Sequence, residues 1–103
     1  MKASRSHDEA TVYLLQQDPG LADAYLHAVL EEINHPGGEA AFLAVLRQVA
    51  LARGGIAQVA AMTGMKREAV SRALSPRGNP TLKTLAAICG ALGVTLDARV
   101  AQA

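Results

Sequence analysis

The chain has 103 residues, the length of one small domain. Half of them are hydrophobic, 18% are charged, and there are nine glycines and four prolines, so intrinsic disorder and collagen-like repeats are excluded. The formal net charge of +1 is unevenly spread. Residues 1–38 set Lys2 and Arg5 against Asp8, Glu9, Asp18, Asp23, Glu31 and Glu32 for a net −4, whereas residues 39–103 carry a net +5. The acidic part is a candidate partner-binding or dimer surface, and the basic part suggests a polyanion. Aromatic residues are 3% of the chain (Tyr13, Tyr25 and Phe42), so the core has to come from Leu, Val, Ile, Met and Ala, which favours closely packed helices. A single cysteine, Cys89, can form no internal disulfide, which fits a reducing cytoplasm. There is neither an apolar run of membrane-spanning length nor a signal-like apolar core near the N-terminus, so no membrane association is expected.

The first helix is expected from about Ser6, where Ser6 and Glu9 have capping-box spacing, through Val12, Leu14 and Leu15 to Asp18-Pro19-Gly20. A second runs from about Leu21 to Asn34, with Ala22, Tyr25, Leu26, Val29, Leu30 and Ile33 on one face and Asp23, His27 and Glu31 on the other. His35-Pro36-Gly37-Gly38 ends it. A third, about Glu39 to Arg53, is apolar on more than one side, as suits a central helix, and Gly54-Gly55 closes it. Two short helices follow, Ile56–Thr63 and Lys66–Leu74, separated by Gly64-Met65. After the loop Ser75-Pro76-Arg77-Gly78-Asn79-Pro80, a last helix is expected with Asn79 as its cap and Pro80 in its first turn, running to Leu92 with Leu82, Leu85, Ala86, Ile88, Cys89 and Leu92 on its apolar side. The alternation over residues 94–100 reads as a strand with no partner in its own chain, so it is expected to pair with a second chain. The fold expected is therefore all-α, a bundle of about six helices plus a short C-terminal strand. An acidic region (1–38) and a core (39–103) pack as one domain.

Two short helices joined by a glycine-containing turn have the pattern of a helix-turn-helix. Val59 and Ala60 face inward from the first, and Val70, Ala73 and Leu74 from the second. A steep crossing requires Ala60 to be small, and Gly64 supplies a backbone conformation that is costly for other residues. Lys66, Arg67, Glu68, Ser71, Arg72 and Ser75 are left on the outward face, where a helix laid in a major groove would meet DNA. Taken alone, that face is also what any amphipathic helix shows, and Glu68–Arg72 has the spacing of an ordinary ion pair. The inward spacings and the basic excess together favour DNA binding.

The chain resembles the HigA-like addiction-module antidotes, small antitoxins with a lambda-repressor-like helix-turn-helix. The resemblance covers roughly residues 10–98. Its narrowest signatures are Asp18-Pro19, Ala24-Tyr25-Leu26, Arg53-Gly54-Gly55, Thr63-Gly64-Met65-Lys66-Arg67-Glu68-Ala69 and the run from Ala73-Leu74-Ser75-Pro76 through Arg77-Gly78-Asn79-Pro80-Thr81-Leu82. It implies a homodimer that represses its own operon by binding a palindromic double-stranded DNA operator, and that neutralises a small basic toxin of RelE or HigB type. Lys66, Arg67, Glu68, Ser71 and Arg72 would then be recognition residues, with Gln58, Arg77, Asn79 and Thr81 as phosphate contacts. One departure is Lys66, where the family usually has Ser or Asn. The lost cap costs about 1 kcal/mol, so Lys66 is either a tolerated defect or a phosphate contact.

Other chemistry has little support. His7, His27 and His35 lack metal-ligand spacing, and Cys89 sits in an apolar helical stretch as a small hydrophobe. No histidine or glycine elbow accompanies Ser71 or Ser75, and neither glycine pair has phosphate-loop spacing. No enzyme, metal or cofactor is expected. Two alternatives stay open, a stand-alone regulator of phage or plasmid type with no toxin, and an interaction module whose helix-turn-helix has lost DNA binding.

Overall fold

The computed structural model describes the backbone of residues 2–97 and the side chains from Asp8 to Asp97. Six α-helices occur among them: α1 (Lys2–Gln17), α2 (Pro19–Glu31), α3 (Gly38–Ala52), α4 (Gly55–Thr63), α5 (Arg67–Ala73) and α6 (Leu82–Leu92). α1 starts four residues before the Ser6 expected to cap it, because residues 2–7 contain neither proline nor glycine to stop the helix. α2 begins at Pro19, a residue that lacks the N–H a first-turn position leaves unused, and the Asp18 carboxylate accepts the Gly20 N–H at 3.1 Å. It ends at Glu31 rather than Asn34, since Glu32–Asn34 already form a turn.

α3 is the central element, packed against α1, α2 and α4. It buries Phe42, Leu43, Leu46, Val49 and Ala50, which explains its apolar character on more than one side. A single cluster joins these side chains to Leu15 of α1, Ala22 and Leu26 of α2, Val59 and Ala60 of α4, Val70, Ala73 and Leu74 around α5, and Ile88, Cys89 and Leu92 of α6. Each fully buried Leu, Val or Ile contributes about 1.5–3 kcal/mol relative to exposure. On α1 the inward stripe is Thr11 and Leu15, while Leu14 points outward at 49% exposure. On α6 it is Leu85, Ile88, Cys89 and Leu92, whereas Leu82, in the helix's first turn, is 78% exposed and Ala86 is exposed as well. The strand expected over 94–100 is absent from residues 94–97, which line a groove beside α2 together with Leu26 and Leu30; residues 98–100 lie outside the described residues.

Two polar contacts between distant segments lock the bundle. The Gln48 amide, buried on α3, donates to the Asp8 carboxylate of α1 at 2.6 Å. The guanidinium of Arg53, which follows α3, donates to the Leu92 carbonyl at 2.8 Å and to the Pro19 carbonyl at 3.4 Å, tying three helix ends together. It thereby satisfies a carbonyl that the end of α6 would otherwise leave open.

Candidate nucleic-acid interface

The connection between α4 and α5 is Gly64-Met65-Lys66. Gly64 has φ +78°, a left-handed backbone that glycine adopts without the steric cost of a Cβ, and its N–H donates to the Ala60 carbonyl at 2.9 Å. Thr63 completes the turn. Its hydroxyl donates to the Val59 carbonyl at 2.9 Å and accepts the Met65 N–H at 3.2 Å. Val59, Ala60, Val70, Ala73 and Leu74 are all buried, as their spacing predicts. The remaining face of α5 is therefore fixed: Lys66, Arg67, Glu68 and Arg72 are exposed, and Ser71 is half-buried.

α5 ends against the following loop. The Ser75 hydroxyl donates to the Arg72 carbonyl at 2.9 Å, so this half-buried side chain is committed to its own backbone rather than displayed outward. Gly78 packs directly on the end of α5, where an added Cβ would collide with the Ala73 carbonyl oxygen and come within 2.8 Å of that of Arg72. This contact holds the loop bearing the exposed Arg77 against the same helix end that carries Arg72. At the far side of the loop the cap differs from expectation. Asn79 and Pro80 stay outside α6, and Thr81 caps it, its hydroxyl accepting the Thr84 N–H at 3.1 Å. Thr81 also donates to the Thr84 hydroxyl at 3.1 Å, so its side chain is occupied locally while Asn79 is left exposed. Gln58 is exposed on α4, which packs against both α5 and α6.

The electrostatics of this face are simple. Among the described residues, the side chains of Lys66, Arg67, Arg72, Arg77 and Lys83 form no ion pair or hydrogen bond, and the Glu68–Arg72 pair suggested by spacing is not made. Lys66 stands at the N-cap of α5 without a side-chain capping bond, as its residue type implies. Arg72 lies in the last turn, where a cation is favoured by the helix dipole.

Residues 6–100 match the family described as probable addiction module antidote proteins. The chain belongs to that family. No curated protein and no solved structure is significantly similar to it. An addiction module antidote is the antitoxin half of a toxin–antitoxin system. The matched segment takes in the acidic α2 as well as the basic face around α5.

Cys89 is buried in α6, and burial pushes its thiol above the ordinary range. His27 faces Glu31 at 3.3 Å and His35 faces Glu32, all of them exposed. Among the described residues no three His, Cys, Asp or Glu side chains are grouped so as to hold a metal ion, and no single helix is long and apolar enough to cross a membrane. Residues missed by sequence reasoning are Gln48, Arg53 and Thr63. The first two depend on partners about 40 residues away, whereas a threonine just before the turn glycine was a usable signal for the third.

Proposed function

We propose that this antidote is a helix-turn-helix repressor that binds its own operator and neutralises a small basic toxin of RelE or HigB type. The observation that carries the DNA-binding part is the set of uncommitted cations on and beside α5, whose inward face is wholly occupied by core contacts. α5 lies in the major groove with Arg67, Glu68, Ser71 and Arg72 toward base edges. Gln58, Lys66, Arg77 and Asn79 meet phosphates on either side, and Thr81 contributes through its backbone because its hydroxyl is occupied by α6. A two-fold homodimer sets the two recognition helices about 34 Å apart on a palindromic site. Nothing in this reading requires catalysis.

Arg77 and Arg72 separate the two kinds of contact. Replacing Arg77 with Ala is expected to weaken binding to an upstream duplex and to a scrambled one alike, and to lower the slope of log K against log salt by about 1. Fluorescence anisotropy over a salt series checks this. An unchanged salt slope would remove Arg77 from the phosphate contacts.

A further inference from the structure

Three glycines, Gly38, Gly54 and Gly78, leave no room for a Cβ. Gly38 is buried at the start of α3 against backbone atoms of Glu32 and Ile33, and Gly54 meets only the side chain of Gln58. Gly78 alone meets the backbone of α5. A Cβ there would collide with the Ala73 carbonyl oxygen, lie 2.8 Å from that of Arg72 and 2.9 Å from the Ala73 carbonyl carbon. Its φ is not positive, so space and not backbone conformation is what requires glycine at this position.

Gly78 also closes a turn. Its N–H donates to the Ser75 carbonyl at 2.8 Å, with Pro76 and Arg77 between them. A proline in the second position of such a turn has its φ already set, which stiffens the turn. Ser75 in its turn is fastened to α5, its hydroxyl and its N–H both donating to the Arg72 carbonyl, at 2.9 and 3.2 Å. The turn is thus held to one helix end by hydrogen bonds at its first residue and by close packing at its last, with the exposed Arg77 between the two anchors. The helix side of this contact has nowhere to retreat, because Val70, Ala73 and Leu74 are buried in the core. A Cβ at position 78 therefore displaces the turn and leaves α5 in place.

We infer that Gly78 is a positioning residue for DNA binding, fixing Arg77 relative to α5 so that its guanidinium meets a backbone phosphate while α5 occupies the groove. This assignment rests on the DNA-binding part of the proposed function and adds the residue that joins backbone anchoring to the recognition helix. A charge-assisted hydrogen bond depends steeply on distance and direction. Displacing the turn by the room a methyl group needs costs the Arg77 contact, whereas Arg67 and Arg72 stay where α5 holds them.

The test is a double-mutant cycle on the full-length chain. Gly78→Ala, Arg77→Ala and the double variant are titrated against the upstream and scrambled duplexes by fluorescence anisotropy over a salt series, with the folded fraction of each established by circular dichroism. Gly78→Ala is expected to weaken binding to both duplexes alike by about tenfold, the worth of one charged hydrogen bond. It is also expected to lower the slope of log K against log salt by about 1, as Arg77→Ala does. Adding Arg77→Ala to Gly78→Ala should change neither quantity further. A loss of folded protein moves neither the slope nor the effect of Arg77→Ala. Wild-type affinity or a wild-type slope in Gly78→Ala, or the full Arg77→Ala effect retained in the double variant, would therefore overturn the inference. If Gly78→Ala does not fold, Ser75→Ala takes its place, since it removes the hydroxyl tether and adds no atom. A loss of about threefold that vanishes in the Arg77→Ala background is then expected; no loss, or one that persists in that background, would overturn the inference. Wild-type binding by Arg77→Ala would overturn it while leaving recognition by α5 standing. Failure of the wild type to bind either duplex would overturn both.

Discussion

Leu46→Ala is expected to destabilise the protein by about 2–5 kcal/mol, the range for emptying a fully buried leucine site. Leu46 is wholly inaccessible to solvent and sits in the middle of α3, the helix against which α1, α2 and α4 pack. A domain of this size has a total stability of only about 5–15 kcal/mol, so the loss is a large share of it. Urea denaturation followed by circular dichroism should show a much lower midpoint with a similar slope. The surrounding side chains have limited freedom to collapse into the space, because the neighbouring Val49 and Ala50 are themselves fully buried on the same helix. A cost below about 1 kcal/mol would contradict the central position of α3.

Arg72→Ala is expected to act on recognition rather than on folding. Its side chain is exposed and makes no ion pair or hydrogen bond among the described residues, so only a few tenths of a kcal/mol from the helix dipole should be lost in stability. On DNA, a lost bidentate contact to guanine removes about 1–3 kcal/mol of discrimination, or roughly 5- to 150-fold in the preference for the upstream duplex over a scrambled one. The effect differs in kind from that of Arg77→Ala, which lowers affinity without changing preference. Competition anisotropy with both duplexes separates the two. An unchanged preference in Arg72→Ala would exclude Arg72 from base recognition.

The fold was legible in the sequence wherever local chemistry decides. Asp18-Pro19 marks the break between α1 and α2, although α2 starts at Pro19 itself and not at the Leu21 expected, and Gly54-Gly55 marks the end of α3 because both residues act within one turn. The inward faces of α4 and α5 followed from Val59, Ala60, Val70, Ala73 and Leu74 at helical spacing. Where two local signals competed, the sequence was ambiguous. Asn79-Pro80 and Thr81 both offer a helix start, and the Thr81–Thr84 contact selects the second. Ser6–Glu9 has capping spacing, yet helix continues on its N-terminal side. The apolar pattern also overestimated burial at helix ends, as at Leu82, because periodicity does not report where a neighbouring element stops.

The candidate site was legible to a similar extent. The outward set on α5 was readable because the inward set was, but the commitment of Ser75 to a carbonyl was not, since a half-buried serine looks the same in sequence as a displayed one. The close packing of Gly78 on the end of α5 was equally hidden, because a glycine in a loop more often signals a turn than a close approach. The Gln48–Asp8 and Arg53–Leu92 bonds depend on tertiary arrangement alone.

The central claim is that the exposed cations around α5 read a particular DNA sequence. Its most direct test is fluorescence anisotropy of a duplex from the gene's own upstream region against a scrambled duplex, at two salt concentrations. A preference of about a thousand-fold or more for the upstream duplex is the result expected of an operator-binding repressor. Equal and steeply salt-dependent binding to both duplexes would contradict sequence recognition and leave only a basic surface meeting phosphate.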